Sequence, residues 1–87
     1  MAERTDRLAV EPRPGTQAVE RALAILDCFR RGPQSLGITE IARAVGLNVS
    51  TAHRLVRALC HGGFMEQEAA SERYRLGFAI AVLGQRA

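Results

Sequence analysis

The sequence predicts a mainly α-helical domain with one small β-hairpin, and three observations predict it. Apolar residues recur at helical spacing in three successive stretches, residues 19–29, 41–45 and 49–59. Glycine punctuates the end of each one, at Gly32-Pro33, Gly46 and Gly62-Gly63. The pattern then changes to two short alternating runs around the polar stretch EAASE. Composition agrees. Aromatics are few and tryptophan is absent, so the core must be built mainly from Leu, Ile, Val and Ala, which suits helices better than a β-sandwich. A chain of 87 residues is one small domain, and 47% hydrophobic content allows a core without disulfide or metal staples.

Residues 1–15 alternate charges and end in EPRPG, which disfavours a helix and reads as a flexible N-terminal arm. Thr16 is placed to cap the first helix. Val19, Ala22, Leu23, Leu26 and Phe29 form its expected buried stripe, widened by Ile25, and Arg30 and Arg31 suit its negative end. In the second helix Thr39 is the expected cap and Glu40 lies in the first turn. Ile41, Ala42 and Val45 face inward, and Gly46 ends the helix in a left-handed conformation. Asn48 caps a third helix only two residues later. That helix runs from Val49 to about His61, with Val49, Ala52, Leu55, Val56 and Leu59 inward.

A short helix, a glycine turn and a newly capped helix in immediate order make a helix-turn-helix. Residues 64–67 and 73–76 then read as two strands joined by EAASE. Tyr74 and Leu76 share the face that must lean on the helices, and Arg73 and Arg75 share the other, pointing out. This hairpin is a wing. The full expectation is therefore a winged helix-turn-helix over residues 16–76, a three-helix core plus a two-stranded wing, followed by the start of a linker helix over residues 77–87.

The third helix carries the chemistry. Ser50, Thr51, His53, Arg54 and Arg57 lie in its first turns or on its outer face, with no acidic residue among them. The second helix of a helix-turn-helix lies in the DNA major groove. Arginine suits that setting, since its fork matches the O6 and N7 of guanine, and all twelve basic residues of this chain are Arg. Arg73 and Arg75 on the wing, with Arg13 and Arg21, are candidate contacts to the DNA backbone or the adjacent minor groove.

Other function classes find no support. There is no Gly-rich phosphate loop and no carboxylate pair on a shared face. Cys60 and His61 are sequence neighbours, about 100° apart on a helix, so they make no nucleophile–base pair. Cys28, Cys60, His53 and His61 lack zinc-ligand spacing, so neither metal nor cofactor is expected. Two cysteines within apolar helical patterns read as reduced thiols. No apolar run has the length of a signal peptide or a membrane span, which places the protein in the cytoplasm and off the membrane.

Three blocks in order, VERALAILDCF, ITEIARAVGLNVSTAHRLVRALCHGGFME and YRLGFAIAVLG, resemble the N-terminal DNA-binding domain of IclR-type bacterial transcription regulators. The resemblance covers about residues 17–84. It implies a non-enzymatic regulator that binds a double-stranded DNA operator. It also implies homodimers formed through the first helix and the linker helix, with dimers pairing into tetramers in full-length proteins. Family members carry a C-terminal, GAF-like domain for a small-molecule effector, and this chain has no counterpart to it. The chain departs from the family at Asn48-Val49, where Pro-Lys is common. The cap survives there, but a basic phosphate contact is lost.

The expected function is sequence-specific binding of double-stranded DNA. A dimer neutralising about four phosphates per half-site should show a log–log salt slope of about −7. The alternative is a winged helix used as a protein–protein interaction module, docking through the apolar tail around Phe78 and Leu83.

Overall fold

The structure is a computed structural model that describes residues 15–87. Its elements are α1 (Gln17–Asp27), α2 (Ile38–Val45), α3 (Val49–His61), β1 (Met65–Gln67), β2 (Tyr74–Leu76) and α4 (Phe78–Arg86). The arm expected over residues 1–15, with Arg13, lies outside the described residues up to position 14. The architecture is the one the sequence predicts: mainly α, with one antiparallel hairpin.

The core sits where α3 packs against α1, α2 and β1. Ile25, Phe29, Ile41, Val56, Met65 and Tyr74 form it, with Ala42 and Ala52 buried where α2 and α3 meet. Ile25, Ile41, Val56 and Met65 are essentially sealed from solvent, so truncating Ile25 or Ile41 to alanine should cost about 2–5 kcal/mol.

Five local expectations are corrected. On α1, Ile25 and Phe29 reach the core, whereas Val19 and Leu23 are 60% and 49% exposed. The apolar arc of this helix is wider than one small core covers. The helix also ends at Asp27, not near Arg31. Residues 28–30 tighten into i→i−3 bonds, with the Cys28, Phe29 and Arg30 N–H groups donating to the Ile25, Leu26 and Asp27 carbonyls. Thr16 precedes α1, but its hydroxyl donates to the Glu20 carboxylate at 3.1 Å and does not cap a backbone N–H. Val49, expected inward, is 44% exposed, at the start of α3 among the exposed residues Asn48 and Ser50.

The fifth correction is the start of α2. Thr39 is already inside the helix, and Gly37 is the N-cap. Leu36 pairs with Tyr74 through two backbone bonds of 2.8 Å, which holds the chain extended up to Gly37 before it turns into the helix. The cap comes from the other side: Glu40 Oε1 accepts the Gly37 N–H at 2.8 Å, the reciprocal half of a capping box.

Candidate nucleic-acid interface

The turn between α2 and α3 is fixed by backbone geometry. Gly46 adopts φ 74°, ψ 31°. The Leu47 N–H donates to the Ala42 carbonyl at 3.0 Å and the Gly46 N–H to Arg43, the paired bonds of a Schellman motif. One residue on, Asn48 Oδ1 accepts the Thr51 N–H at 2.9 Å and the Ser50 hydroxyl at 3.1 Å. The far end of α3 closes in the same way. Phe64 N–H donates to Leu59 and Gly63 N–H to Cys60, with Gly63 at φ 82°. Both ends of α3 are therefore locked, and its outer face is held in one direction.

That face carries Ser50, His53, Arg54, Arg57, Ala58 and His61, all exposed, with Thr51 half-buried. No acidic residue occurs in Val49–His61. Among the described residues, neither Arg54 nor Arg57 has an ion-pair partner. Arg57 also reaches a shallow groove of about 330 Å³ between α3 and the wing, lined by Cys60, His61, Gln67 and Tyr74. Burial pushes the Tyr74 hydroxyl and the Cys60 thiol up from their ordinary pKa values, so both stay protonated and uncharged at neutral pH.

The wing arginines differ from expectation, since neither points freely outward. Glu66 lies directly opposite Arg75 in the hairpin register. Arg75 bonds the carboxylates of Glu66 and Glu68, each at 3.0 Å, and those two charges raise its pKa further. Arg73 turns toward α2. Its Nε donates to Ser35 Oγ and its Nη2 to the Ser35 carbonyl, both at 3.0 Å, and Nη2 lies 3.1 Å from Glu40 Oε1. Cross-strand pairing is the physical reason for Arg75, and the adjacent α2 cap is the reason for Arg73.

Residues 18–69 match the family model described as the IclR helix-turn-helix domain. The chain belongs to the IclR family. It is 46% identical over 68 residues to the glycerol operon regulatory protein of Streptomyces griseus, an alignment covering 78% of this chain and 27% of that protein. It is 41% identical over 71 residues to the HTH-type transcriptional regulator XynR of Escherichia coli, covering 82% of this chain and 28% of that protein. The crystal structure of an IclR family transcriptional regulator from Brucella abortus superposes with a TM-score of 0.77 at 36% identity, covering 88% of this chain and 29% of that one. The chain thus spans about a quarter to a third of these relatives, which are transcriptional regulators and not enzymes.

Two further features of this IclR domain bear on function. Arg43 in the last turn of α2 is exposed and, among the described residues, without an ion-pair partner. The sequence signals of α2 are its buried stripe and its two ends, and neither singles out Arg43. Leu23, Leu26, Phe29, Leu76 and Ile80, with Asp27 and Arg30, line a largely apolar groove of about 410 Å³. Val19 on α1 and Phe78, Val82 and Leu83 on α4 are also exposed apolar residues. Arg21 on α1 is half-buried. Among the described residues, no helix is long and apolar enough to cross a membrane.

Proposed function

We propose that this IclR domain binds an operator in double-stranded DNA as a homodimer and serves transcriptional regulation in the cytoplasm. The observation that carries this reading is the outer face of α3, which is exposed, free of acids and held between two locked helix ends. Ser50, Thr51 and His53 stand at the leading end of the helix, where base edges are read. Arg54 and Arg57 are the guanine or phosphate contacts, and Arg43 on the preceding helix is a phosphate contact. Arg21 would add a flanking phosphate contact from α1. The wing contributes position more than charge, since both its arginines already face carboxylates.

The homodimer reading rests on the apolar surface shared by α1 and α4. An apolar groove flanked by exposed apolar side chains on the same two helices is seldom left to water. It favours pairing of two copies, which would present two α3 helices to successive major-groove faces. The chain's likeness to operon and transcription regulators supports an operator as the target, and the effector-binding domain of such regulators would lie in the part of their length that this chain does not span. The test is gel retardation with duplexes recovered by selection from random DNA. A retarded band with a two-fold symmetric site is expected. No retardation at low salt would refute the reading and leave the protein-interaction alternative.

A further inference from the structure

The wing of a DNA-binding domain with outward arginines is naturally read as a second electrostatic contact. The geometry around Arg73 points elsewhere. Its Nε/Nη2 edge, the edge of a guanidinium that forks onto a phosphate, is occupied by Ser35 Oγ and the Ser35 carbonyl, 38 residues earlier in the chain. The same Nη2 lies 3.1 Å from Glu40 Oε1. That carboxylate oxygen also accepts the Gly37 N–H and so caps α2, the first helix of the helix-turn-helix. The next wing residue, Tyr74, exchanges two backbone bonds with Leu36. One guanidinium thus ties the root of β2 to the segment that opens α2. The wing as a whole is no cation. Residues 64–76 contain Glu66, Glu68 and Glu72 against Arg73 and Arg75.

We propose that Arg73 is a positioning residue for DNA binding: through Ser35 and Glu40 it holds the wing in register with the helix-turn-helix, so that wing and α3 meet the duplex as one rigid surface. The inference rests on the DNA-binding reading above. Arg73 contributes through the geometry of α2 and the wing and not through a phosphate. A bidentate phosphate contact through the Nε/Nη2 edge of Arg73 would break its Ser35 bonds, and one through Nη1/Nη2 would displace Glu40. Lysine cannot replace it, because a single ammonium does not span the hydroxyl, the carbonyl and the carboxylate.

The experiment compares the wild-type chain, Arg73→Ala, Arg73→Lys and Glu40→Gln on a duplex selected by the wild type and on a scrambled duplex, across a salt series. Circular dichroism establishes that each variant is folded. Glu40→Gln is the variant least at risk of misfolding, because its amide oxygen can still accept the Gly37 N–H. Loss of the tie should lower affinity for the selected duplex by about tenfold in both Arg73 variants, through lost preorganisation. Affinity for the scrambled duplex should change much less, and the salt slope should stay at the wild-type value. Amide exchange at Leu36 and Tyr74, in the absence of DNA, should quicken by about tenfold as the bridge opens locally.

A phosphate contact behaves differently. Arg73→Ala would then reduce the slope by about 0.9 per protomer on both duplexes, and Arg73→Lys would restore it. That result overturns the proposal, as does unchanged affinity in all three variants. If the wild-type chain retards no duplex at all, the DNA-binding reading falls and this inference falls with it, whereas retention of wild-type binding with a failed Arg73 series sinks the inference alone.

Discussion

Gly77→Ala is the sharpest structural test of how α3 is joined to α4. Gly77 is buried, and a Cβ built on it would lie 2.3 Å from the Gly63 carbonyl oxygen, 2.9 Å from its carbon and 3.0 Å from the Met65 nitrogen. All three are backbone atoms and cannot swing away as a flexible side chain would. Relief requires moving the Gly63–Phe64 segment or the start of α4 by about 1 Å, and overpacking of this kind costs about 1–3 kcal/mol. Two backbone bonds cross the same contact, Gly77 N–H to Phe64 at 2.8 Å and Ala79 N–H to Gly63 at 3.0 Å. Weakening them adds about 0.5–1.5 kcal/mol each. The expected loss is therefore about 2–6 kcal/mol, a large part of the roughly 4–13 kcal/mol available to a domain of this size. Gly46→Ala is the control. Gly46 has left-handed φ but nothing within 4 Å of a new Cβ, so only the conformational cost of about 1–2 kcal/mol applies. Urea unfolding followed by circular dichroism measures both. A Gly77→Ala loss below 1 kcal/mol, or a larger loss at Gly46, would refute the close-approach argument.

Further expectations concern binding, assembly and pH. Arg54→Ala should cost about 1–3 kcal/mol in operator affinity and relax selection at one base position, read by repeating the selection with the variant; uniform weakening on every duplex would make Arg54 a phosphate contact instead. Leu23→Glu places a charge in the α1–α4 apolar groove and should shift sedimentation toward monomer, while an unchanged sedimentation coefficient would exclude that face as the dimer contact. Glu40 and Glu68 are held below the ordinary carboxylate range, Glu40 by the Gly37 N–H and then Arg73, Glu68 by the Ser71 hydroxyl and then Arg75. Their folded pKa values lie below the unfolded value of about 4.3, so their stabilisation is complete above it and is lost as pH falls through the folded values. The thermal midpoint should drop below about pH 4, and the Glu40→Gln, Glu68→Gln double variant should show a flatter acid limb.

The sequence was most legible where one residue type has one local use. Asn48 and Gly62-Gly63 bracket α3 because a capping amide and a left-handed glycine leave the chain little choice, and the helix bounds agree with expectation. The wing was less legible because its register is set by a turn without a cue. EAASE contains no Gly, Asn or Pro, and the left-handed position falls on Glu72 at φ 62°. A five-residue turn closing on Gln67 and Arg73 would have set Glu66 opposite Tyr74. The observed loop is closed one step earlier, by the Glu68 N–H donating to the Arg73 carbonyl, and Glu66 faces Arg75. A one-residue slip of this kind decides which charges meet. The engagement of Arg73 was invisible for another reason: its partners, Ser35 and Glu40, are brought near only by the Leu36–Tyr74 bridge, a contact too short to leave a strand pattern.

The salt dependence of duplex binding tests the α3 face most directly. With Arg73 and Arg75 engaged internally, Arg43, Arg54 and Arg57 of the helix-turn-helix and the flanking Arg21 give eight phosphate-range cations per dimer and a log–log slope of about −7, shallower than the roughly −11 expected if the wing arginines also bound phosphate. The decisive comparison is between the wild-type chain and the Arg54→Ala, Arg57→Ala double variant on the selected duplex. A wild-type slope near −7 that falls toward about −4 in the variant is the expected result. A slope that does not change when both arginines are removed would contradict the assignment of this face to DNA.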